Sequence, residues 1–225
     1  MFLFDPQFGE RMITLMAAFL LVLQIAMVGQ RMLITNIRLY AIQSALLASI
    51  AMTIAWFNRE PHVYLAAALT LALKCILLPR WLERLVDRIG IPKEIQPLLN
   101  VPASLIISGG LTLVGYLVAH PFAAVEPGNG SLGHNTLAVA VSLFLMSFFL
   151  MINRRKAISQ VLALLTMENG LSLAAISLTY GMPLIVELGI LLDVLAAVIL
   201  LGILAYRIRE TFDSTDVSKL RRLRG

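Results

Sequence analysis

Apolar residues run along this chain in seven blocks, near 12–29, 39–57, 61–79, 100–120, 135–153, 157–180 and 182–206. Each is long enough to cross a bilayer as a helix, because about 20 helical residues cover a hydrocarbon core of roughly 30 Å. Pro61, Pro102 and Pro183 fall at or just inside helix starts, where a missing N–H costs nothing, and Pro79 marks the end of the third block. The stretch RWLERLVDRIGIPKEIQPLLN that follows is too polar to cross. Within it Trp81, Leu82, Leu85 and Ile89 share one helical face, which predicts an interfacial helix near 80–90 lying along the membrane surface. The pattern predicts an all-α, polytopic membrane protein of about seven transmembrane helices, with 1–225 as a single integral membrane domain.

Lysine and arginine orient it. The odd-numbered blocks end beside Arg31 and Arg38, beside Arg80, Arg84, Arg88 and Lys93, beside Arg154, Arg155 and Lys156, and beside the tail from Arg207 to Arg224. The opposite ends have only Arg11 and Arg59, and the loop 121–134 has no Lys or Arg. By the positive-inside rule the N-terminus is expected outside and the C-terminus cytoplasmic, in a cell inner membrane.

Composition supports the pattern. Of 225 residues 59% are hydrophobic and 14% are charged, where a soluble domain has about 25% charged. No soluble core of this size hides so much apolar side chain. The opening MFLFDPQFGERMITL has neither a basic leader region nor a small-x-small cleavage pattern, so it reads as a retained first span. The net charge of +5 sits at span borders, where the lipid bilayer explains it without a nucleic-acid partner. Cys75 is the sole cysteine, which excludes an internal disulfide and a cysteine-based metal cluster within the chain.

Against this apolar background four ionisable residues stand out: Lys74, Glu168, Glu187 and Asp193. Each costs at least about 2.5 kcal/mol at a helix centre, so each is a functional candidate. At the helical rise, Lys74, Glu168 and Asp193 lie roughly 19, 18 and 16 Å from the outer surface, and Glu187 roughly 7 Å. One cation and two carboxylates are thus expected at one level near the midplane. Glu187 and Asp193 point about 120° apart around their helix and cannot face the same neighbour. A structural ion pair accounts for Lys74 and one acid. It leaves at least two acids over, and burial of a carboxylate favours its protonated form. Groups with tunable protons in file across a membrane are what a proton relay requires.

Gln24, Gln43, Asn169 and Thr179 add uncharged polar groups, expected to hold waters between the charged sites. Ser104, Ser108, Gly109 and Gly110 form a small-residue face on span four, and Ala41, Ala45 and Ser49 form one on span two; both suit close helix packing. His62, His120 and His134 read as outer-surface histidines without metal-ligand spacing. Nothing resembles a nucleotide loop or a nucleophile triad, so no cofactor, no metal and no catalysis by this chain alone is expected.

LYAIQS at 39–44, LKCILLP at 73–79, MENG at 167–170 and VELGILLD at 186–193 resemble, in order and spacing, the hydrogenase-4 component E family. The resemblance runs from span two to the tail. It implies a membrane-arm subunit of a nickel–iron hydrogenase or formate hydrogenlyase-type complex, related to respiratory complex I. Expected partners are antiporter-like membrane subunits and a hydrophilic hydrogenase arm bearing iron–sulfur clusters. Spans one to four with the interfacial helix occupy 12–134. The unit 135–225, three spans and a basic tail, is similar to the K subunit of complex I and the C subunit of multisubunit cation/proton antiporters. The resemblance implies that Glu168 is the first relay carboxylate of that unit, with Asp193 or Glu187 as the second. Asn169 and Gln43 would support it, and Gly170 would permit a helix irregularity or a close neighbour. Two other functions fit the residues less well: a purely structural scaffold of such a complex, and a stand-alone secondary transporter, for which no inverted repeat is visible.

Overall fold

The computed structural model of the chain describes residues 6–58, 64, 67, 68, 70–89, 95, 97–121, 132–179 and 202. Glu187 and Asp193, His62, the side chains of His134 and Thr179, and all of the seventh block except Gly202 lie outside the described residues. Helix α1 runs Pro6–Gly29, α2 Leu33–Asn58, α4 Val101–Ala119, α5 Leu132–Asn153 and α6 Ala157–Thr179. A π-helical turn, Leu71–Leu77, leads without a break into α3, Leu78–Ile89. Among the described residues five stretches are long and apolar enough to cross a membrane: Arg11–Gly29, Leu33–Ile54, Val101–Ala119, Asn135–Asn153 and Ile158–Ser177. They correspond to the first, second, fourth, fifth and sixth blocks of the sequence. Helices suit such blocks because each backbone N–H and C=O finds its partner inside the segment.

Pro79 does not end the third helix, as the sequence suggested. Its ring lacks an N–H and collides with the carbonyl four residues back in a regular α-helix. The turn ahead of it is widened instead: the Leu78 N–H donates to the Leu73 carbonyl, in π register. The chain thereby passes Pro79 and continues to Ile89.

Short turns set the packing. α1 and α2 are joined by Gln30–Met32, whose backbone N–H groups at Arg31 and Met32 donate to Gln30 Oε1 at 2.9 and 3.3 Å. α5 and α6 are joined by Arg154–Lys156. Their backbones approach closely at Gly170, where a Cβ would lie 2.9 Å from the Phe144 nitrogen. Of the two roles anticipated for this glycine, close approach is the one it fills.

Two apolar layers result. One joins Ile13, Ala17 and Leu20 of α1 to Leu47 and Ile50 of α2, Leu143 of α5 and Leu173 of α6. The other joins Met27 of α1, Ile37 and Tyr40 of α2, Leu78, Leu82 and Val86 of α3, and Val161 and Leu165 of α6. The buried face of α3 is therefore Leu78–Leu82–Val86, with Trp81 and Leu85 at its margin. Gly202 lies against it: a Cβ there would come within 2.8 Å of Trp81 Cη2.

The small-residue faces divide. Ser104 and Ser108 are buried, but Gly109 and Gly110 are exposed with open space where a Cβ would stand. Ser49 is likewise exposed on α2, whose buried side carries Ile37, Tyr40, Ser44 and Leu47. Helices apolar on all sides give the sequence little to choose a face by.

Candidate functional site

Between the two apolar layers lies a polar one. Along α1 Gln24 separates Leu20 from Met27, and along α2 Gln43 and Ser44 separate Tyr40 from Leu47. Along α6 Glu168 and Asn169 separate Leu165 from Leu173, and Ser147 of α5 follows Leu143 by one turn. All six of these polar side chains, with Lys74 of the π turn, are buried between apolar neighbours.

At its centre Lys74 and Glu168 form an ion pair, 2% and 4% exposed. The ammonium contacts both carboxylate oxygens and hydrogen-bonds Oε1. Oε1 also accepts from the Ser172 hydroxyl at 3.1 Å, whereas Oε2 has no hydrogen-bond partner beyond the ionic contact. Three helical features bring the pair together. The π turn aims Lys74 inward from the third helix, Gly170 lets α6 close on α5, and the 167–170 MENG stretch then presents Glu168 and Asn169 away from α5, toward α2 and the π turn.

From the pair a chain of hydrogen bonds crosses the bundle. Lys74 Nζ donates to Asn169 Oδ1 at 3.5 Å, its longest link. Asn169 Nδ2 donates to Gln43 Oε1 at 3.3 Å and to Ser44 Oγ at 3.1 Å. Gln43 Nε2 donates to Gln24 Oε1 at 3.0 Å, and Gln24 Nε2 to Ser147 Oγ at 2.9 Å. The sequence placed Gln24, Gln43 and Asn169 around waters. They bond one another directly instead, because long amide side chains from adjacent helices meet at one level.

Arg154, which in the sequence serves only to orient the chain, is a second buried cation. Arg154 is 2% exposed, and its Nη2 donates to the carbonyls of Met27 and Gln30 at 3.1 Å and of Val28 at 3.3 Å. It answers the open carbonyls at the end of α1, the negative pole of that helix. Burial pulls the guanidinium down to about 10, still charged at neutral pH. Its neighbour Asn153 accepts from the Leu99 N–H at 2.9 Å and donates to Ser104 Oγ at 3.0 Å, fixing the start of α4. The one signal in the sequence was position: Arg154 falls directly between two spans, with three residues to turn in.

Among the described residues no group of three or more His, Cys, Asp or Glu side chains is placed to hold a metal. His120 is exposed. Among the described residues the site is one acid–base pair, enclosed by apolar layers and tied to a row of uncharged donors and acceptors.

The chain is similar to several known proteins. Residues 135–225 match the family described as NADH-ubiquinone/plastoquinone oxidoreductase chain 4L. An uncharacterized protein of Mycobacterium tuberculosis is 37% identical over 206 residues, covering 91% of this chain and 92% of that one. Hydrogenase-4 component E of Escherichia coli (strain K12) is 29% identical over 187 residues, 83% of this chain and 85% of its own. The Shigella flexneri protein of the same name matches to the same extent. No solved structure matches the fold.

Proposed function

We propose that this chain, which belongs to the hydrogenase-4 component E family, carries protons through Glu168 and Lys74 in the membrane arm of an energy-converting oxidoreductase. It is a multi-pass membrane protein and a membrane subunit of a complex I-related complex. The finer assignment is to a nickel–iron hydrogenase-type complex of the cell inner membrane. Its neighbours there are antiporter-like membrane subunits and a hydrophilic iron–sulfur arm. Glu187 or Asp193 on the seventh block continues the relay from Glu168.

The observation that carries the proposal is the Lys74–Glu168 pair, enclosed in the polar layer between two apolar ones. A buried ion pair is poor value for stability alone, since hydrophobic residues of like volume often do as well or better. It has a property they lack. One proton transfer, breaking Nζ–H and forming Oε–H, turns it into a neutral amine and a neutral acid with no net change of charge.

The competing function is a register lock, favoured by the bond of Lys74 to Asn169 as well as to Glu168. Glu168→Gln separates the two, because glutamine keeps shape and hydrogen bonding but carries no proton. Proton uptake into inverted vesicles, measured beside electron-transfer rate, is expected to fall per electron while the complex still assembles. Unchanged translocation would return Glu168 to the role of a lock. Orientation has its own test in a Cys75→Ser background. A membrane-impermeant thiol reagent applied to intact cells is expected to label cysteines introduced in 121–134, and labelling within 80–97 would reverse the topology.

A further inference from the structure

Every link of the chain from Lys74 to Ser147 runs in one sense. The donor is Lys74, then Asn169, then Gln43, then Gln24, and the last acceptor is Ser147. This follows from the chemistry of the two ends. A protonated lysine has three donors and no acceptor, so Asn169 must turn its carbonyl toward it. Its amide nitrogen is then left to face Gln43, and the same constraint passes down the row. A serine hydroxyl at the far end serves as acceptor or donor alike.

We infer that Gln24 and Ser147 belong to the Lys74–Glu168 site as positioning residues, in an amide row whose hydrogen bonds reverse direction when Lys74 gives up its proton. The inference rests on the reading of the pair as a proton-exchanging one. A neutral amine can accept, so the opposite sense then becomes available. Ser147 donates to Gln24 Oε1, Gln24 to Gln43, Gln43 to Asn169, and Asn169 Nδ2 to Lys74 Nζ. Amides do not themselves relay the proton. They swing between two complete arrangements and so tie α1 and α5 to the state of a pair held by the π turn and α6. Intermediate arrangements leave a buried donor facing a donor, at roughly 1–3 kcal/mol for each unmet group. The row therefore turns as a unit.

Among the described residues the groups that can bias Lys74 are few. Glu168 faces it from α6. Tyr40 is buried on α2 close to Glu168 and Cys75, and Cys75 adjoins Lys74 in the chain. Among the described side chains α1 and α5 bring to the row the uncharged Gln24 and Ser147.

Infrared difference spectroscopy of the intact complex, its glutamine side-chain carbonyls labelled with carbon-13, reads the sense directly. Gln24 Oε1 accepts from an amide N–H in one arrangement and from a hydroxyl in the other. Its band, identified by its loss in Gln24→Leu, is expected to shift between acidic and alkaline buffer in the wild type. In Lys74→Arg, whose guanidinium never becomes an acceptor, the band should stay in place. If that variant does not insert, Gln43→Leu cuts the row at its middle and should hold the Gln24 band still. A band fixed in the wild type, or moving equally in Lys74→Arg or Gln43→Leu, would overturn the inference. The relay reading is judged separately. A stationary Gln24 band with lost translocation in Glu168→Gln sinks the row and leaves the relay, and a moving band with normal translocation does the reverse.

Discussion

Lys74 and Arg154 are both cations at 2% exposure, and the bundle answers them in different ways. Arg154 is met by three backbone carbonyls at the end of α1. Those acceptors are fixed partial charges that neither titrate nor turn. Lys74 is met by a carboxylate and an amide, groups that exchange a proton or swing about a bond. Burial alone therefore does not separate a structural charge from a working one. On the function proposed for Lys74, the nature of the partner does.

Breaking the pair should have the largest effect. Glu168→Leu leaves Lys74 uncompensated and is expected to cost about 3–5 kcal/mol, read as lost accumulation of the chain in membranes. The double replacement Lys74→Met with Glu168→Met should recover accumulation while proton translocation stays absent. Recovery of both would dissolve the contrast with Arg154. Next in size is Arg154→Met, which leaves three carbonyls unanswered at roughly 1 kcal/mol or more apiece. Arg154→Lys should restore only part of the loss in thermal stability, since one compact ammonium lacks the planar reach of the guanidinium. For that charge stability and activity should fall together, the opposite of the pair.

Gly170→Ala probes the packing that sets the pair in place. The new Cβ meets the Phe144 backbone nitrogen at 2.9 Å, so α5 and α6 must separate. About 1–3 kcal/mol of thermal stability should be lost in detergent, with translocation weakened through a displaced Glu168. Gly109→Ala should have the smallest effect, within about 0.5 kcal/mol, because its Cβ enters open space. A large loss there would show that α4 meets a close neighbour in the assembled complex.

The sequence made the five spans among the described residues, and the polar position of Glu168 within one of them, legible for one physical reason. In lipid, polarity is expensive, so both its absence over 20 residues and its presence at one position carry information. Azimuth was not legible. α2 and α4 carry apolar residues on their exposed as well as their buried sides, and nothing in Ala41–Ala45–Ser49 or Gly109–Gly110 tells lipid from protein. Pro79 looks like a terminus in the sequence because the rule for proline concerns α register, and the chain meets it by changing register over Leu71–Leu77. The amide row was half visible. Gln24, Gln43 and Asn169 stood out as polar residues at similar depth, but their direct bonding depends on side-chain length and helix spacing, which no one-dimensional pattern contains.

The clasp on α1 also sets an order in time. Arg154 reaches back 124 to 127 residues to the carbonyls it closes. At roughly 5–20 residues per second of synthesis, the first hairpin waits roughly 6–25 s for that side chain to emerge from the ribosome. Until then the carbonyls of Met27, Val28 and Gln30 depend on water or on the insertion machinery at the membrane edge. A nascent chain halted before α5 should therefore hold its first two helices with one end unsealed, open to a protease that the finished chain resists.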